Sequence, residues 1–132
     1  VERFPNGFAL ARDGRTLYVA DSPRRVVAAL ELDRDGRLRS HRDFAVGDAL
    51  CPGYPDGMTV DAEDHLWIAF YDGGCLGRFR PDGSLQRVVR LPVARVTCCA
   101  FGGAGLATLF VTAGDGLYAF EPGVAGLPSA AG

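Results

Sequence analysis

Lysine is missing from this chain: every one of the 14 basic residues among the 132 is arginine. Against 16 acidic residues they leave a formal charge of −2, so no positive excess exists for a general phosphate-binding surface, and a nucleic-acid partner is not expected. Arg34, Arg37, Arg39 and Arg42 do cluster, but at hairpin positions that ordinarily form a solvated face. The exclusive use of arginine points to a GC-rich genome more than to chemistry. Also absent is any apolar run near the ~20 residues needed to cross a bilayer, and no signal peptide is visible, so no membrane partner is expected. No stretch places apolar residues at i, i+3, i+4 and i+7 without an interrupting Gly or Pro, which removes an α/β architecture. The four cysteines, Cys51, Cys75, Cys98 and Cys99, lack Cys-x-x-Cys spacing and make no zinc set. Adjacent Cys98 and Cys99 alternate to opposite faces of a strand. All four read as buried free thiols, which fits a reducing cytoplasm.

What the chain does contain is a repeat. Pro5-Asn6-Gly7 opens into Phe8-Ala9-Leu10, and fifty residues later Pro55-Asp56-Gly57 opens into Met58-Thr59-Val60. After each opening come a polar turn, a short aromatic-rich strand, another turn and a second apolar strand. Residues 17–21, 66–70 and 109–113 are three copies of the first of these strands, and residues 27–31, 76–80 and 117–121 are three copies of the second. Asp35-Gly36 and Asp82-Gly83 follow in the first two copies, the strongest short signal for a tight hairpin. Outer strands over 38–45 and 85–91 complete those copies.

Strands of about 5–6 residues split by Gly, Asp and Pro, repeating every 40 to 50 residues, predict an all-β propeller of about three four-stranded blades. Three blades form an open arc, whereas a propeller is stable as a closed ring in which neighbours cover each blade face. The chain is therefore expected to be partial or self-associating. A start at Val1 without Met, with the first copy beginning within six residues, favours a partial chain. The third copy has no fourth strand of its own, a place commonly filled in a ring by a strand from the N-terminus. Two copies closing one ring is the alternative.

Four segments together, residues 5–10, 13–22, 52–58 and 97–103, resemble the regucalcin and gluconolactonase family, and residues 122–128 resemble the tail of its bacterial members. The resemblance implies a six-bladed propeller with one divalent metal, Ca²⁺ or Zn²⁺, at the mouth of its channel, and hydrolysis of a sugar lactone. Residues 1–132 would then be the C-terminal half of that single domain, partnered by the missing N-terminal half and inactive alone. By the same resemblance Asn6 corresponds to a neutral metal ligand, and Asp56 to a carboxylate ligand that doubles as general base. A Glu ligand near the family's N-terminus and most substrate-gripping residues have no counterpart here. Cys98 stands where many members carry Ser.

The residue types suit that chemistry. In a propeller the first strand of each repeat lines the axis, so Asn6 and Asp56 approach one another despite their separation in sequence. An amide carbonyl and a carboxylate are hard oxygen donors fit for Ca²⁺ and usable by Zn²⁺. A metal so held polarises a lactone carbonyl and stabilises the oxyanion formed when water attacks, while Asp56 takes the proton. Asn-Gly and Asp-Gly are also common turn dipeptides, and the matching positions behind a Pro are what favour ligation. His65 in a hairpin turn and His41 on an outer strand read as solvated. Asp33-Arg34-Asp35-Gly36 reads as a turn because its Gly is early and no Glu closes a calcium loop. Trp67 and Phe79 read as core, and Tyr71 as a residue near the channel rim. A non-catalytic propeller that binds calcium or a protein partner is the competing reading.

Overall fold

The computed structural model describes residues 5–46 and 50–128, the side chains of Pro5, Asn6 and Val46 excepted. Eleven strands form three antiparallel sheets in chain order. The first sheet contains β1 (Pro5–Leu10), β2 (Thr16–Asp21), β3 (Val26–Leu32) and β4 (Leu38–Val46). The second contains β5 (Tyr54–Val60), β6 (Leu66–Tyr71), β7 (Cys75–Phe79) and β8 (Leu85–Arg90). The third has only β9 (Val96–Gly102), β10 (Thr108–Ala113) and β11 (Gly116–Phe120). Each sheet is a meander of neighbouring strands, the blade pattern expected from the repeat, with two blades of four strands and one of three.

Hairpin chemistry explains the meanders. Gly36 and Gly83 adopt left-handed φ values of 79° and 92°, which a glycine reaches without a Cβ clash. Asp33 closes its turn by accepting from the N–H groups of Asp35 and Arg37 at 2.8 and 2.9 Å. The sequence-predicted calcium-loop look-alike is thus a hairpin turn.

Alternation then sorts the apolar residues. Along β6, Leu66, Ile68 and Phe70 enter one core with Tyr18, Phe44, Met58 and Phe79. Trp67 and Ala69 enter a second core with Leu76, Val96, Leu109 and Val111. Successive side chains of a strand leave opposite faces, so the middle blade supplies both cores at once. Its neighbours supply one each. The inner strands β1, β5 and β9 stand side by side.

A buried ion pair ties the strands of the middle blade together. Asp61 is fully buried. It accepts from the backbone N–H groups of Glu63 and His65 at 2.9 and 3.1 Å, from Trp67 Nε1 at 2.8 Å and from Arg78 Nε at 2.9 Å. Arg78 goes on to Glu63 and Gln86 at 3.0 and 3.2 Å. A buried carboxylate is tolerated only when so paired. Beyond β11 the chain returns to this corner: Ala62 N donates to Ala125 O at 2.8 Å, and Arg87 Nη2 to Pro122 O at 3.0 Å.

The cysteines divide differently from expectation. Cys98 and Cys99 are free thiols on opposite faces of β9, the first exposed and the second buried. Burial raises the Cys99 pKa well above the ordinary thiol value, so that thiol is inert. Cys51 and Cys75, however, form a disulfide with Cα atoms 6.2 Å apart. The free-thiol expectation fails for this pair because the meander folds the start of β7 back onto the segment entering β5, a proximity that sequence spacing does not reveal. A disulfide removes the basis for the reducing compartment expected from four free thiols. No helix among the described residues is long and apolar enough to cross a membrane.

Candidate active site

Each inner strand carries one extra residue at the same end of its sheet. In β1, Asn6 and Gly7 together oppose Ala20, between the pairs Pro5–Asp21 and Phe8–Val19. In β5, Asp56 and Gly57 oppose Ala69, between Pro55–Phe70 and Met58–Ile68. In β9, Thr97 is the extra residue between Val96–Ala113 and Cys98–Thr112. These are β-bulges, which bend the strand and re-aim a side chain, and they concentrate near functional sites. The Asn-Gly and Asp-Gly pairs are therefore inside strands and not turns. Proline, lacking an N–H, fits at the mouth of a strand or beside a bulge.

Glycine at the second bulge position has a steric reason. A Cβ on Gly7 would overlap the Asp56 carbonyl oxygen and lie 2.7 Å from Gly57 Cα. On Gly57 it would lie 2.7 Å from Cys98 Cα. The three bulges thus nest against one another, and any side chain at these two positions would force the inner strands apart. Repetition of Pro-x-Gly in the sequence is the trace of this close approach.

Asp56 is the carboxylate of that cluster. It is half-buried, and its side chain has no hydrogen-bond or ion-pair partner among the described residues. Desolvation raises its pKa above the ordinary carboxylate value, because burial disfavours the charged form. A carboxylate so placed is disposed to take a proton or to meet a cation. The backbone of Asn6 occupies the equivalent bulge in β1, while its side chain lies outside the described residues. Cys98 flanks the cluster on the third blade. Among the described residues no three His, Cys, Asp or Glu side chains gather into a metal site.

Two contacts unforeseen from the sequence tie the first blade to this end of β5. Ser22 Oγ donates to Pro55 O at 2.5 Å, one residue before Asp56. Arg25 Nη2 donates to Tyr54 Oη at 3.0 Å, with the guanidinium carbon 4.3 Å from the ring centroid. Their only sequence signal is the polar turn after Asp21. Tyr71 stands at the same end of β6, under the guanidinium of Arg95 at 5.9 Å, in keeping with its expected place near the rim. His65 lies at the opposite end of β5, its Nδ1 3.0 Å from the Glu63 carbonyl, and His41 is exposed on β4. Neither histidine joins the bulges, and Trp67 and Phe79 are core as expected.

Comparison with known proteins agrees with this arrangement. The chain is 37% identical over 112 residues to a pentonolactonase of Haloferax volcanii, covering 85% of this chain and 38% of that protein. A gluconolactonase from Xanthomonas campestris superposes with a TM-score of 0.77 at 32% identity, over 90% of this chain and 38% of the other. The calcium-binding protein regucalcin of Agrobacterium tumefaciens superposes at 0.75 with 31% identity, over 83% and 37%. The chain thus spans well under half the length of these relatives. Residues 3–115 match the SMP-30/Gluconolactonase/LRE-like region, and with the bladed sheets, the Pro-x-Gly bulges and these relatives in agreement, the chain belongs to that family.

Proposed function

We propose that this chain is part of a metal-assisted hydrolase that opens a sugar lactone to its hydroxy acid. The observation carrying the reading is Asp56: a half-buried carboxylate without a partner among the described residues, set on a bulge of the middle inner strand, its pKa raised by desolvation. The relatives named as lactonases support the reaction class.

The residues present suit a divalent ion, since Asp56 is a hard oxygen donor already partly desolvated, and Gly7 and Gly57 keep other side chains out of the cluster. Asp56 and Asn6 would hold Ca²⁺ or Zn²⁺ together with a carboxylate from outside these residues. When bound, the ion supplies Lewis-acid polarisation of the carbonyl. In the reaction, the water oxygen bonds to the lactone carbonyl carbon, the ring C–O bond breaks, and the ring oxygen acquires a proton. Asp56 receives the proton of the attacking water. A bound cation opposes the effect of burial on its pKa, so its service as base depends on hydrogen-bond reach to the attacking water. Residues 1–132 would form the C-terminal half of a six-bladed propeller, with most substrate contacts on the remaining blades and no activity in the isolated chain.

The test is hydrolysis of glucono-δ-lactone by the full-length protein and its Asp56→Asn variant. A loss on the order of 10²–10⁴ in kcat, with retained folding, is expected. Full activity in Asp56→Asn would sink the proposal. The calcium-binding regucalcin relative favours a second reading, a metal-binding propeller without turnover. Calorimetric Ca²⁺ binding that depends on Asp56, with no hydrolysis of any lactone tried, would select it.

A further inference from the structure

Two arginines at the bulge end of the sheets are neutralised within the chain. Arg24 pairs with Asp21 at 3.5 Å and with Asp43 at 3.8 Å, and Arg95 reaches Asp72 at 3.9 Å. Arg25 differs. No carboxylate pairs with it among the described residues, and its guanidinium donates to the Tyr54 hydroxyl. Its guanidinium lies flat enough on Tyr54 to bring its carbon 4.3 Å from the ring centroid. Its backbone sits at φ 57°, a left-handed conformation that costs a non-glycine residue about 1 kcal/mol. Ser22 locks the same turn onto Pro55. An exposed arginine ordinarily sweeps a wide volume and gains little from any one contact. Here the stacking ring, the hydroxyl and the docked turn hold the side chain over the end of β5 that carries Asp56.

A held guanidinium with spare donors and no counter-charge among the described residues matches an oxyanion supplied from outside. We propose that Arg25, positioned by Tyr54, is an anion subsite beside the Asp56 centre, and that the sugar lactone taken by this protein carries a second, anionic group: a phosphate, sulfonate or carboxylate on the end of the sugar away from the lactone carbonyl. The inference rests on the hydrolase reading for the word lactone. The subsite itself rests on the Arg25–Tyr54 geometry.

Calorimetry on the full-length protein tests it with stable open-chain acids, comparing 6-phosphogluconate and glucarate with gluconate. The expected result is about tenfold tighter binding of the doubly anionic acids, shrinking as salt rises toward 0.5 M. Arg25→Gln should remove most of that preference and leave gluconate binding within about twofold. Tyr54→Leu should give an intermediate loss, because the charge stays while its support goes. An unchanged thermal midpoint shows that both variants fold. Equal binding of all three acids by the parent protein overturns the subsite, as does an Arg25→Gln effect of the same size on every acid. Lactone turnover is scored separately: no hydrolysis of glucono-δ-lactone or its 6-phosphate counts against the hydrolase reading, while the binding comparison still decides the role of Arg25. If the lactone is the substrate, Arg25→Gln raises KM for the 6-phosphate and leaves kcat nearly unchanged.

Discussion

The middle blade and the two end blades share a strand pattern but not a fate. Every residue of β7 and all but the last of β6 are buried, whereas β10 and β11 alternate between covered and exposed positions. On the end blades, Phe8 and Leu117 are 70% and 67% exposed, although each occupies an apolar position of the repeat. The difference lies in neighbours and not in sequence character. A blade with a sheet on both sides loses apolar surface from both faces, at roughly 25 cal/mol per Å². Burial in this fold is therefore conferred by the adjacent repeat, the nearest-neighbour logic of repeat proteins.

Substitutions can break that contrast in order of severity. Asp61→Ala in the middle blade should cost about 3–5 kcal/mol, since Arg78 would keep only the exposed Glu63 and lose its buried carboxylate; chemical denaturation measures this. Phe70→Ala should cost nearly as much, about 3–5 kcal/mol, through the cavity left beside Phe79, whose ring lies 6.1 Å away. Breaking the Cys51–Cys75 bond, which closes a separation of 24 residues, should lower stability by about 3 kcal/mol. Melting with and without reductant, with Cys75→Ser as the control, reads that effect, and no response to reductant would mean that the bond is absent in solution. Leu117→Ser on the outer face of the third blade should stay within about 0.5 kcal/mol in the isolated chain, and a larger cost would mean that its face is covered.

A smaller effect sharpens the contrast from the functional side. In metal-free protein the Asp56 pKa is raised on folding from its ordinary value of 3.8. Between that value and the folded one, the folded state binds more protons than the unfolded state, so stability falls as pH rises through the interval. Asp56→Asn removes this cost. It should raise the melting temperature at pH 7 by about 1–2 °C and change nothing below about pH 3.5, even as it abolishes hydrolysis. No gain at pH 7 would mean that the carboxylate is not desolvated.

Much of the architecture was legible because blade structure is local. Residues 17–21, 66–70 and 109–113 are strands, the Asp-Gly turns are turns, and the third blade has three strands. The bulge that carries Asp56 left its trace only in the repetition of Pro-x-Gly, since one copy alone reads as a turn. Long-range proximity was not legible. Nothing in the spacing of Cys51 and Cys75 announces a bond, and nothing near Asp61 announces an arginine 17 residues on that needs it. The Arg25–Tyr54 pair likewise spans 29 residues and two blades. Each of these depends on which residues the meander folds together, and the periodicity of a single strand holds no record of that.

The extra residue in β5 also resets the phase of the strand. Before it the odd-numbered Pro55 faces inward; after it the even-numbered Met58 and Val60 do. Asp56 stands at the slip, where a side chain belongs to neither core. Replacing it exchanges a chemical group that belongs to neither packed cluster. Such a scaffold can vary what lines its axis one residue at a time while its sheets stay as they are, so that a new reaction would not require a new fold.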